Sequence, residues 1–188
     1  MLNLKSAADI EACHNSVVMK SIKVFGRLMN FNCKTQDVLI TETEPEKIYA
    51  KLAELQKNCF WMFGEGKIDI GTRVCAICNI VSFDDELHDF SQENYYQYLE
   101  KTKIPGKDFN YLFYLYKTEK FAPSTQKIAE FETSNKYIIF YVYQEQSILN
   151  KILRPLIGEV KTSSIAGILP YNSETISAMN CEQFATST

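Results

Sequence analysis

The chain has 188 residues, 46% of them hydrophobic and 23% charged, with a net charge of −3 and a pI near 5.5. That balance describes a folded globular chain and excludes a disordered one. It also speaks against a protein that wraps nucleic acid by neutralising its backbone, while leaving room for a local basic groove.

A domain of this size buries roughly 70% of its unfolded-chain surface, so its core needs no metal or disulfide. The start of the chain, "MLNLKSAADIEACHNS", carries an acidic pair and no apolar stretch of signal-peptide length. The longest apolar run, "YIIFYVY", falls far short of the ~20 residues of a membrane helix. Cys13, Cys33, Cys59, Cys75, Cys78 and Cys181 sit mostly inside apolar runs, not in the short polar loops of a secreted disulfide framework. The expectation is therefore a soluble intracellular protein in a reducing compartment, with no membrane association.

Ser6 and Asp9 have capping-box form and predict a helix over residues 7–19. Alternation follows, with Ile22, Val24, Gly26 and Leu28 on one face, then the turn "NFNCKTQ" and a second strand "DVLITET". These predict a hairpin over residues 20–42. Gly26 stands mid-strand, where a glycine marks a bulge or bend. The next segment, "EPEKIYAKLAELQKN", fits two structures. Pro45 and the spacing of Ile48, Leu52, Leu55 and Cys59 suit a helix, and "KIYAKL" suits a strand running into one.

"IDIGTRVCAICNIVSF" is apolar on both faces and predicts a central strand. "SQENYYQYLEKTK" predicts a helix capped at Ser91 and closed before Pro105. "NYLFYLYK" predicts a strand, and "QKIAEFETSNKYIIFYVYQE" a hairpin turning at residues 134–136. "SILNKILRPLIGEV" predicts a helix carrying Ile148, Leu149, Ile152, Leu153 and Leu156 on one stripe. After residue 172 the chain is expected to be a small, polar tail. The elements together predict an α+β chain dominated by antiparallel strands, with Ile22, Val24, Leu28, Val74, Ile77, Ile80, Phe140 and Val142 in its core.

Chemistry is sparse. In Cys75-Ala-Ile-Cys78 the strand pattern puts the thiols on opposite faces, which suits core residues better than a zinc knuckle. Asp84, Asp85 and His88 offer ligands for a divalent metal, but suit better an acidic loop ahead of a helix. Gly64-Glu65-Gly66-Lys67 fails the phosphate-loop pattern, since Trp61 stands at its first glycine position and Ile68 at its Ser/Thr. No Ser-His-acid or Cys-His set stands out, so no catalytic residue and no cofactor is assigned. Residues 95–143 hold nine of the eleven tyrosines, and Tyr141 and Tyr143 share a strand face suited to half-wet core, protein contact or base stacking.

"SIKVFGRLMNF" resembles the first strand of OB-fold small subunits in replication protein A-type and telomere-capping complexes. "DVLITE", "KIYAKL" and "IDIGTRVCAICNIV" then stand where the second, third and fourth strands belong. The resemblance covers residues 20–83. It implies an OB-like barrel or curled antiparallel sheet with flanking helices, spanning residues 1–172 as one domain with 173–188 as tail, in which Gly26 relieves the bend of the first strand. It also implies a nuclear, non-catalytic subunit that acts mainly in assembly with protein partners in a hetero-complex. On this reading single-stranded nucleic acid contacts Arg27, Lys34, Lys47, Tyr49, Lys51 and Trp61, and the partner contacts Tyr141, Tyr143 and the 148–156 stripe. The alternatives are a protein-interaction module without nucleic acid and a metal-dependent hydrolase using Asp84, Asp85 and His88.

Overall fold

The computed structural model of the chain describes residues 4–22, 30–71, 73–121, 130–144 and 162–187. The expected bend at Gly26, the core positions Val24 and Leu28, Arg27, and the stripe from Ile148 to Leu156 lie outside these residues.

Helix α1 (Leu4–Ser21) starts ahead of Ser6, which is therefore not its cap. Cys13 and Val17 belong to the core and Ile10, at the same helical spacing, packs against it, where α1 meets the helix α2 (Pro45–Met62). Ile22 comes directly after α1 and is 42% exposed, not a core strand residue, because the helix extends to the position before it. β1 (Cys33–Lys34) and β2 (Gln36–Ile40) follow across Thr35. The expected hairpin over residues 20–42 is displaced at both ends: α1 occupies its beginning, and β2 runs parallel to β3 (Val74–Phe83) with Gln36 opposite Asn79 and Ile40 opposite Phe83.

A parallel pair needs a crossover, and α2 (Pro45–Met62) supplies it. This settles the two structures open at residues 45–58. Pro45 sits at the start of the helix, where its missing N–H costs nothing, and Ile48, Leu52, Leu55 and Cys59 are all buried. Period 3.6 wins over period 2 because one continuous stripe reaches the sheet. A tight turn at Gly64–Gly66 closes the helix.

β3 is central, as expected, with β6 (Tyr137–Tyr143) antiparallel on one edge and β2 on the other. β7 (Ser164–Pro170) lies antiparallel beyond β6, giving the order β2-β3-β6-β7. β6 is buried on both faces from Tyr137 to Val142. The sheet is thus mostly antiparallel with flanking helices, and among the described residues it stays open and closes no barrel. Of the expected core, Val74, Phe140 and Val142 are buried, and Ile77 and Ile80 are partly buried.

Two segments expected as strands are built differently. "NYLFYLYK" forms helix α4 (Tyr111–Tyr116), capped by Asn110, whose side chain accepts the Phe113 N–H at 2.8 Å. Its run is apolar on nearly all sides, so neither period is legible, and the cap decides. β5 (Glu130–Phe131) pairs with β4 (Phe90–Ser91) instead of forming a hairpin with β6. Helix α3 (Gln92–Lys101) begins where expected, with Ser91 accepting the Asn94 N–H.

The stretch expected as a polar tail is part of the fold. It carries α5 (Ser173–Ala178), β8 (Gln183–Phe184) beside the first residues of β3, and β9 (Thr186–Ser187) beside β1. Met179 and Ala185 are buried.

The six cysteines are all bonded, as Cys13–Cys33, Cys59–Cys78 and Cys75–Cys181, which overturns the expectation of reduced thiols. Lying in apolar runs does not keep cysteines apart. Elements that pack bring them together, and the Cα–Cα distances of 4.5, 5.7 and 5.7 Å are those of ordinary bridges. Cys75 and Cys78 serve different partners, Cys181 and Cys59.

Candidate functional site: the cleft between α2 and the α3–α4 loop

The last turns of α2 present Glu54, Lys57, Asn58 and Trp61 away from the sheet, and the Gly64–Gly66 turn adds Glu65. Across from them stand Ile104, Pro105 and Lys107 of the α3–α4 loop and Tyr114 of α4. Lys57, Asn58, Trp61, Glu65, Ile104, Pro105, Lys107 and Tyr114 enclose an open cleft of about 380 Å³.

Two tyrosine–carboxylate bonds tie α4 to this side. The Tyr111 hydroxyl donates to Glu54, and the Tyr114 hydroxyl donates to Glu65 Oε1 at 2.8 Å. Lys57 also reaches Glu54 at 2.5 Å, and Lys67 reaches Glu65 Oε2 at 2.6 Å. Burial alone would raise the Glu65 carboxyl, but the bonds from Lys67 and Tyr114, with the charges of Lys67 and Lys107, hold it below its ordinary value. Burial, helped by the bonded Glu65 carboxylate, pushes the Tyr114 hydroxyl well up, so this pair stays a neutral phenol donating to an ionised carboxylate.

Glu65 is held there by an unusual backbone. Gly64, Glu65 and Gly66 have φ of +72°, +57° and +73°, three successive left-handed residues. For Glu65 such a conformation costs on the order of 1 kcal/mol, the kind of strain that collects at functional sites. A Cβ on Gly66 would stand 2.0 Å from Ser164 Oγ, so the turn lies close against β7. The motif that fails as a phosphate loop thus acts to place one carboxylate.

Trp61 is braced from behind. The His14 ring stacks on it at 4.0 Å with an interplanar angle of 19°, and His14 Nδ1 lies 2.9 Å from the Trp61 carbonyl oxygen. Lys117 lies over the Phe60 ring at 5.4 Å, and burial lowers its ammonium pKa. The cleft therefore combines a fixed indole, an ionised carboxylate, an amide and two ammonium groups.

The chain matches no protein-family model, no curated protein and no solved structure.

Of the residues expected to contact nucleic acid, Trp61 alone lines this cleft. Lys47 and Lys51 share its stripe of α2 nearer the helix start, with Lys47 paired to Glu44 at 2.6 Å. Lys34 lines a narrow crevice with Asp9, Gln36 and Asn58, and Asn58 is common to both depressions. Tyr49 is 6% exposed, on the buried side of α2 among Phe90, Tyr95 and Tyr98, so its ring is core and offers no stacking face. Of the expected partner-binding residues, Tyr141 is fully buried and stacks on Phe63 at 4.7 Å, and Tyr143 is half-buried at the end of β6. Asp84, Asp85 and His88 lie in the loop after β3, where Asp84 Oδ1 accepts the Glu86 N–H at 3.1 Å. Among the described residues no three His, Cys, Asp or Glu side chains converge as a metal would require.

Sequence reasoning missed His14, Asn58, Glu65, Lys107 and Tyr114. The helical spacing of Asn58 and Trp61 was legible once the helix at residues 45–58 is continued by one turn, whereas Glu65 lies in the left-handed turn beyond it. The approach of Tyr114 across 49 residues was not legible.

Proposed function

We propose that the protein is a disulfide-stapled interaction module that works in an oxidising compartment. The pairing of all six cysteines carries the oxidising compartment, since such bridges persist in oxidising surroundings and are rare where glutathione and thioredoxin keep thiols reduced. The Cys59–Cys78 bond in particular is buried between α2 and β3, and a bridge so placed serves the fold. Among the described residues no helix is long and apolar enough to cross a membrane. A subunit of a replication or telomere complex, with an OB-like barrel and a nuclear address, is the other reading. It requires these bridges to be open in the cell.

The test is made on the protein from its natural source. Thiols are blocked before any reductant is added, the peptides are mapped, and the native mass is measured against the 21.7 kDa of the chain. Three cross-linked peptides and a particle heavier than the chain are expected. Free Cys59 and Cys78 would return the protein to a reducing compartment, and a particle of chain mass alone would end the interaction module. Anisotropy with labelled single strands at two salt concentrations tests the other reading, because contact through several lysines weakens steeply with salt.

A further inference from the structure

We propose that the cleft between α2 and the α3–α4 loop binds an acidic sugar, a pyranose ring bearing a carboxylate. Size comes first. A cleft of about 380 Å³ lies at the small end of ligand sites, which run roughly 300–1,000 Å³. It suits one or two sugar rings better than a peptide or a nucleic-acid strand.

The lining is a match in kind. Trp61, braced by His14, offers a flat apolar surface for the C–H face of a pyranose, and Ile104 and Pro105 add apolar wall. Ring hydroxyls each donate and accept, so their site needs both functions around the platform. Here Glu65 accepts, Asn58 does both, and Lys57 and Lys107 donate. Each Glu65 oxygen already takes one bond, from Tyr114 and from Lys67, and retains capacity for a second. The left-handed turn and the two bonds fix that carboxylate in advance, so a ligand need not order it.

Charge selects the acid. Lys57 is paired with Glu54 and Glu65 with Lys67, so the charge left over at the cleft is that of Lys107, which a uronate group satisfies. A nucleotide would also stack on the indole, but its two phosphate charges would meet the ionised Glu65. The sugar's single carboxylate can turn to Lys107 at the loop side while its hydroxyls face Glu65.

The chain has one tryptophan, so its intrinsic emission reports this cleft. The disulfide-intact chain is titrated with glucuronate, glucose, acetate and adenosine monophosphate. A saturable change with glucuronate, tighter than any response to the other three, is expected. Lys107→Gln, on an exposed loop, should weaken glucuronate about two- to fivefold. Glu65→Gln, which keeps an acceptor but removes a negative charge, should weaken glucose more than glucuronate, while circular dichroism confirms the fold. No saturable response to glucuronate, or one no tighter than that to acetate, overturns the proposal. So does tighter binding of adenosine monophosphate, which would assign the cleft to nucleotides. A glucuronate oligomer binding more tightly than the monomer identifies a polysaccharide as the source, and equal affinity identifies the free acid. The inference rests on the oxidising-compartment reading only in needing the bridges closed. A failed titration with all three bridges mapped sinks the sugar and leaves that reading standing. Free thiols in the natural protein, beside a positive titration, sink that reading alone.

Discussion

Cys78 stands at the register shift of the β3–β6 ladder, between Ile77 opposite Phe140 and Asn79 opposite Ile139, and is bonded to Cys59 of α2. The extra residue of a bulge is free of a cross-strand partner, which lets it turn toward the helix. The bridge closes a chain segment of 19 residues that includes the strained turn and the entry into β3. Replacing both cysteines by alanine should lower stability by about 3 kcal/mol, as expected for a loop of this length. Urea unfolding of Cys59→Ala/Cys78→Ala against the parent chain measures it, and an unchanged midpoint would mean that the bridge does not constrain the unfolded state.

Gln56 is the polar centre of the core. Its Nε2 donates to the Tyr116 hydroxyl at 2.9 Å and to the Ala166 carbonyl at 3.3 Å, and its Oε1 accepts the Tyr95 hydroxyl. Gln56→Leu keeps the volume and strands the buried Tyr95 hydroxyl, while Tyr116 keeps its bond with Tyr96, so it should cost about 1–3 kcal/mol. Adding Tyr95→Phe should recover part of that loss, because the stranded group is removed. Additive losses in the double-mutant cycle would show that the two side chains do not interact.

Gly66→Ala should destabilise by about 2–3 kcal/mol, from the left-handed φ and from the collision with Ser164 Oγ. In a Ser164→Ala background the overlap with Oγ is gone and only the tight 3.2 Å approach to Cβ and the φ term remain, so the same substitution should cost less, roughly 1–2 kcal/mol. Thermal unfolding of the four proteins separates the two causes.

The acid limb of stability should carry a Glu65 component. Its carboxyl is held below the ordinary 4.5, so the unfolded chain takes up this proton first as pH falls. The stabilisation is complete above about 4.5 and is lost as pH drops through the folded value. The gap in unfolding midpoint between the parent and Glu65→Gln should therefore narrow as pH is lowered. A gap constant with pH would show that Glu65 ionises alike in both states.

The alkaline limb belongs to the tyrosines. Burial raises the Tyr95, Tyr96 and Tyr116 hydroxyls above the ordinary 10.0, with neighbouring tyrosines adding to the effect on Tyr95 and Tyr96. Raised values favour the neutral form in the fold, so stability is full below pH 10.0 and falls as pH climbs toward the folded values. Tyrosinate absorbance should rise cooperatively, together with loss of the circular dichroism signal. Full ionisation near 10.0 with the fold intact would contradict their burial.

What the sequence determined by itself is whatever depends on near neighbours along the chain. The central place of β3 follows from apolar residues on both its faces, and the start of α3 from Ser91. The helix at α2 was half legible, since Pro45 and the 48–52–55–59 stripe spoke for it while "KIYAKL" fitted a strand. Tertiary structure decided the rest. Asn110 turned "NYLFYLYK" into a helix because a run apolar on every side carries no period, and β5 chose β4 over β6 because pairing depends on what lies alongside. The bridges, the ordered residues after 172 and the cleft share one cause. Cys75 meets Cys181 across 106 residues, and Tyr114 meets Glu65 across 49. Local pattern sets which way a side chain faces, and only the packing of whole elements sets what it meets there.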